Sequence, residues 1–272
     1  MIRGTLMNRR DRGRHQARLQ RLLPGGRGLW VPMDHGLSGY PETGLEHMDE
    51  VIDAVIEGGA DAVVLQKGVL THHVSRTGWD GFIAHLSAST AHGGPRSQFK
   101  VLVGSAHEAL DRGAGAVSGQ VNLGDEHEPE MIADLGRLTE EAWSIELPVL
   151  GMVYPRGEHL RIASDDPTKG VAHAVRIAYE LGCDVAKVPW TGSVDSFEMV
   201  TSAAPIPVLI AGGGAGTTME DTLAMVRASM EAGGAGVCMG RRIFGSGRPK
   251  NVTQALRAII DGSSMDEALS FL

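Results

Sequence analysis

Residues 182–190 read Gly182-Cys183-Asp184-Val185-Ala186-Lys187-Val188-Pro189-Trp190, a short apolar run with one lysine in its middle. A continuous apolar run is how a strand buried on both faces reads, the kind that fills a parallel sheet covered by helices. A charge there is rarely tolerated unless it is paired or used. Lys187 therefore snorkels, sits in a buried ion pair, or acts as a nucleophile. The last role needs its free-chain pKa of about 10.4 to be depressed by burial or a nearby cation, so that the amine attacks carbonyls to form Schiff bases.

Similar runs lie on either side of it. Residues 28–33, 62–65, 81–86, 116–121, 149–153, 208–211 and 236–239 read as strands, and the Lys187 run is the sixth in chain order. Helical spacing falls between them at 45–57, 106–112, 131–143, 167–181, 194–200, 218–232 and 252–260, while 71–80 reads as a loop and 87–90 as a turn. Eight strand-helix units predict an α/β fold, a single (β/α)₈ TIM barrel spanning residues 1–272, with residues 1–27 as a lead-in helix covering the barrel bottom. An open doubly wound sheet is the competitor, but no G-x-G-x-x-G follows the first strand.

The bulk numbers narrow the function. At 272 residues and a formal net charge of −8, the chain has the size of one barrel and lacks the clustered basic excess of a nucleic-acid binder. No apolar run reaches the roughly 18 residues of a membrane span, and the arginine-rich start lacks the apolar stretch of a secretory signal. Cys183 and Cys238 stand apart without metal spacing, as expected of a cytoplasmic protein. The partner expected is a phosphorylated small molecule, with no nucleic acid, no membrane and no cofactor.

In a barrel, every strand delivers its last residues to one catalytic face. Strand one brings Asp34, His35 and Gly36, strand two Lys67, strand five Tyr154, Pro155 and Arg156, and strand six Lys187. Gly212-Gly213 and Gly240-Arg241 follow strands seven and eight, where barrels commonly hold phosphate on exposed backbone N–H groups. A phosphate there brings a carbonyl within reach of Lys187, and Arg241 or Lys67 is then placed to keep the amine neutral. Tyr154 and Asp34 are of the type that moves protons, although Tyr154 also suits a packed ring and Asp34 a salt bridge to Lys67 or Lys187. A zinc held by His35, His85 and His72 or His73 is the metal alternative, and no ligand spacing supports it.

The strings VPMDHG, EGGADAVVLQKG, VYPRGEH, SDDP, AKVPWTGSVDSF, IAGGG and GRRIF, in this order over nearly the whole chain, resemble the archaeal-type class I (Schiff-base) aldolase family. The resemblance implies a metal-free, homo-oligomeric barrel enzyme in which Lys187 forms the Schiff base, Tyr154 donates protons and Asp34 acts as a base. It implies an aldolase or transaldolase joining a ketose-phosphate-derived donor, such as dihydroxyacetone phosphate, to an aldehyde such as aspartate semialdehyde. The setting would be aromatic or aminohydroxybenzoate-type biosynthesis, with fructose-bisphosphate cleavage and a non-catalytic sugar-phosphate-binding barrel as the alternatives. Three positions depart from the family pattern. Gly214-Ala215 replaces Pro-Lys, GRR replaces GRN, and Pro189-Trp190 replaces small or polar residues. The first removes a cation near the phosphate, which leaves Arg242 as its candidate replacement.

Overall fold

Along each apolar run side chains alternate between two faces, and closing the runs into a cylinder turns one face inward. The computed structural model describes residues 13–162, 166–212 and 218–272. The barrel strands are β1 (Gly28–Pro32), β2 (Ala62–Gln66), β3 (Phe82–His85), β4 (Ala116–Leu123), β5 (Val149–Pro155), β6 (Val185–Val188), β7 (Val208–Ala211) and β8 (Gly236–Cys238). They form a closed barrel in which each pairs in parallel with its neighbours in chain order, β8 returning to β1.

Between the strands run α2 (Met48–Glu57), α3 (Lys67–Thr77), α4 (Ala106–Asp111), α5 (Glu128–Ser144), α6 (Pro167–Glu180), α7 (Val194–Thr201) and α8 (Met219–Glu231), and α9 (Pro249–Asp261) and α10 (Met265–Leu269) follow β8. The local rules are visible in α6, which Pro167 opens and where the Asp166 carboxylate accepts from Thr168 N–H at 2.9 Å. Its buried Val171, Ala174, Val175 and Ala178 repeat at helical spacing and face the sheet.

Two hydrophobic layers result. Outward residues such as Val63, Ala84, Val117, Val153, Ala186 and Val188 pack under the helices. Inward residues, among them Trp30, Val64, Ile83, Leu150, Met152, Val185 and Leu209, fill the cylinder. Leu22 and Leu23, at the end of α1 (Gly13–Leu22), join this inner layer, and the Leu22 carbonyl accepts from Trp30 Nε1 at 2.6 Å. Burial of the two leucines contributes about 1.5–3 kcal/mol per side chain. Arg18 ties the helix across the bottom by donating to the carbonyls of Ile145 at 3.1 Å and Glu146 at 2.7 Å. Residues 1–12 of the lead-in lie outside the described residues.

Two local expectations are corrected. The 71–80 stretch is not a loop; it is largely the body of α3. Its β-branched Val69, Thr71 and Val74 give it weak helical periodicity, and it is helical because Leu70 and His73 are buried. Nor is 87–90 a simple turn, because Ser87–Ala88 pairs antiparallel with Val101–Leu102 in a small ribbon above β3.

The barrel closes where Gly28 of β1 meets Gly236 of β8. Gly236 has φ +118°, and a Cβ on it would come within 2.0 Å of the Gly28 carbonyl oxygen. Gly236→Ala is therefore expected to lower stability by about 2–4 kcal/mol through strain and a parted seam, read as a lower denaturant midpoint at unchanged m-value.

Candidate active site

The strand period of two decides which side chains reach the barrel mouth. Val185 of β6 belongs to the inner layer, so Lys187, two residues on, points inward as well, and it is 8% exposed. Tyr154 follows Leu150 and Met152 on the inward face of β5, Cys238 follows Gly236 on β8, and Asp34 follows Trp30 and Pro32 beyond β1. These groups meet. The Lys187 amine lies close enough to the Tyr154 hydroxyl, the Cys238 sulfur and the Asp34 carboxylate for each of them to act on its charge.

Above them opens a cavity of about 1150 Å³ bounded by the ends of β1, β4, β5, β6, β7 and β8. It takes in Asp34, His35, Tyr154, Pro155, Arg156, Lys187, Gly212, Gly240 and Arg241 from the predicted set. Gly240 is required there by close approach, since a Cβ would meet the Pro32 carbonyl oxygen at 2.2 Å and the His35 ring at 3.0 Å. Gly213 and the Gly214-Ala215 departure lie outside the described residues.

Two predicted residues do not line this cavity. Lys67 is one position past inward-facing Gln66, so it turns outward, begins α3 and forms a salt bridge with Glu108 at 3.0 Å. Neither the phosphate role nor the suppression of the Lys187 charge falls to it. Gly36 sits inside the helical turn His35–Ser38, whose His35 and Ser38 line the cavity while Gly36 does not.

The charge states are set by burial against neighbours. Burial alone pushes the Lys187 ammonium down, but Cys238, Tyr154 and Asp34 more than offset it, and the amine is held above the ordinary lysine range. This corrects the expectation of a resting neutral amine. Burial raises Asp34, yet the fields of His85, His35 and Lys187 outweigh it, so the carboxylate titrates below its usual range and is ionised at neutral pH. His85 approaches Asp34 at 3.8 Å and bonds Ser118 Oγ through Nδ1 at 2.8 Å. Burial pushes both His85 and His35 down, so both rings are neutral at pH 7. Burial likewise raises the Tyr154 phenol and lifts the Cys238 thiol to about 11, leaving both protonated.

Two cationic ends flank this floor. Gly212, Gly240, Arg241 and Arg242 stand at β7 and β8, with Arg242 Nε donating to the Gly212 carbonyl at 3.4 Å. Asp221 and Thr222 of α8 also line this end. At the other end, beyond β4 and β5, stand Arg156, Gln120 and Lys100. Gln120 and Cys238 could have been found by counting alternate residues along their strands; Lys100 lies in a connection where no periodicity applies. The histidines of the metal alternative separate, His72 and His73 lying on α3 beside Asp49 with ligand atoms within 4.8 Å of one another. Among the described residues no group of three such ligands gathers at the mouth.

Known proteins resemble this chain over most of its length. It is 39% identical over 256 residues to 2-amino-3,7-dideoxy-D-threo-hept-6-ulosonate synthase 1 of Archaeoglobus fulgidus, covering 93% of this chain and 94% of the other. It is 38% identical to 2-amino-4,5-dihydroxy-6-oxo-7-(phosphonooxy)heptanoate synthase of Streptomyces griseus, covering 86% and 84%. An archaeal fructose-1,6-bisphosphate aldolase, solved with its catalytic Lys covalently bound to the carbinolamine intermediate, superposes with a TM-score of 0.78 at 26% identity, over 91% of this chain and 100% of that one. The family model for DeoC/LacD family aldolases matches residues 29–246, and with a lysine-floored barrel of this shape the chain belongs to that aldolase family.

Proposed function

We propose that this enzyme is a class I aldolase or transaldolase that uses Lys187 to join a three-carbon, phosphate-bearing ketone donor to an amino-acid aldehyde. The observation that carries the reading is the inward Lys187 amine next to Tyr154 and Asp34, on the floor between two cationic ends. The product skeleton named for the Streptomyces relative has a ketone at C6, hydroxyls at C4 and C5, and a phosphate at C7. Its C4–C5 bond is the one an aldol addition makes. Cleaving it on paper gives dihydroxyacetone phosphate and aspartate semialdehyde.

The steps follow from the groups present. Deprotonated Lys187 adds to the donor carbonyl, and loss of water leaves an iminium that acidifies the neighbouring C–H. Asp34, ionised at neutral pH, takes that proton to give an enamine. The enamine carbon attacks the acceptor aldehyde, and the protonated Tyr154 hydroxyl supplies the proton that the new alkoxide needs. Water then returns the lysine and frees the product. Donor phosphate fits the Gly212 and Arg241 end, where bare backbone and a guanidinium are offered together. Fructose-bisphosphate chemistry is the second reading, favoured only by the shape match at 26% identity, against 38–39% for the aminoheptulosonate and heptanoate synthases. Assembly into a homo-oligomer and a cytoplasmic setting are part of the same proposal and rest on family resemblance.

Four outcomes are expected. Borohydride with dihydroxyacetone phosphate leaves a reduced adduct on Lys187, seen by peptide mass, and Lys187→Met shows neither adduct nor carbon–carbon bond formation; full activity in that variant discards the proposal. Tyr154→Phe lowers kcat roughly 10²–10⁴-fold while still trapping donor. Adduct yield rises with pH, because the amine held above its usual range must first lose its proton. Asp34→Asn removes an anion that raises the amine, so the midpoint of that rise moves to lower pH; a midpoint that stays or climbs contradicts the assigned electrostatics.

A further inference from the structure

The end of the cavity away from Gly212 and Arg241 carries Lys100 and Arg156. Lys100 Nζ donates to Ser89 Oγ at 2.5 Å. Arg156 Nε donates to Asn122 Oδ1 at 2.9 Å, and its guanidinium lies over the Tyr154 ring at 4.8 Å. Asn122, on β4, in turn donates its amide to the Gln98 carbonyl, so one side chain ties the segment carrying Lys100 to Arg156. Both cations are thus fixed on their outer sides while lining the cavity.

Their charges are poorly balanced by the protein. Burial and then Arg156 press the Lys100 ammonium below its usual range, and burial does the same to Arg156. Among the described residues no ion pair includes either cation; the one carboxylate that acts on Lys100 is Asp34, on the floor beside Lys187. Lys100 is half-buried and Arg156 exposed, and both line the same cavity, so an anion that the substrate brings would complete them.

We propose that Lys100, acting with Arg156, binds the distal carboxylate of the aldehyde acceptor and is a specificity-determining residue of this enzyme. The proposal rests on the Schiff-base reading of Lys187. A guanidinium fork beside one ammonium suits a carboxylate, whereas the opposite end supplies the glycine backbone that phosphate favours. Arg156 lies over the Tyr154 ring, 4.8 Å from its centre, beside the residue assigned to protonate the new alkoxide, so an anion carried by the acceptor meets a cation there.

The test compares wild type, Lys100→Met and Lys100→Arg with dihydroxyacetone phosphate as donor and aspartate semialdehyde, glyceraldehyde 3-phosphate or propanal as acceptor. The donor adduct on each protein is recorded by mass after borohydride, which reads the lysine chemistry and the fold without any acceptor. The expected result is a roughly 10- to 100-fold fall in the kcat/KM ratio of aspartate semialdehyde to propanal in Lys100→Met, carried mainly by KM and largely restored in Lys100→Arg. Adduct formation with an unchanged ratio overturns the carboxylate subsite and leaves the Schiff-base reading standing. Selective loss of glyceraldehyde 3-phosphate instead overturns it in favour of a second phosphate site. Absence of adduct in wild type removes the Schiff-base reading and this subsite with it.

Discussion

A lysine ammonium inside a barrel loses most of its hydration, a penalty of several kcal/mol unless nearby groups return the lost interactions. Here Lys187 recovers them from the Tyr154 hydroxyl, the Cys238 sulfur and the field of Asp34. Those groups come from three other regions of the wall, so the lysine is tolerated only while β1, β5, β6 and β8 stay in register. The charge that destabilises the core in isolation is therefore what binds the site to barrel closure. The tight Gly28–Gly236 seam acts on that same register from the opposite end of β1 and β8.

The resting charge distribution differs from a preformed neutral nucleophile. Asp34 ionised, Tyr154 and Cys238 protonated, and Lys187 held as ammonium form a compact set whose net charge is near balance before substrate arrives. His85 stands 3.8 Å from Asp34 and is itself held by Ser118. Outside this set the cavity is polarised lengthwise, with Arg241 and Arg242 at one end and Arg156 and Lys100 at the other. In the proposed reaction this would place a donor and an acceptor that each carry an anion head to head over the lysine, and orientation of this kind is a large part of what an aldol addition requires.

Much of this was legible in the chain itself. Alternating apolar runs and helical segments specify a barrel, because parallel strands need crossover helices and eight units close. A lysine within one such run, and Asp34, Tyr154, Arg156 and Arg241 just past others, mark the mouth because every strand ends there. The short α3 was not legible, since its β-branched residues become helical only through the burial of Leu70 and His73.

What only the tertiary structure decided is direction and distance. Lys67 looks equivalent to the other strand-end cations, but one residue of register turns it away to Glu108. Lys100 carries no periodic signal and reaches the cavity because a side-chain and backbone network folds its segment over β4. The protonation of Lys187 follows from which groups surround it in space, and those are more than thirty residues away along the chain. Sequence determined the alternation and the chemical inventory, because both are local properties of side chains; closure of the barrel determined which of them meet, because electrostatic and hydrogen-bond energies depend on separation and not on order.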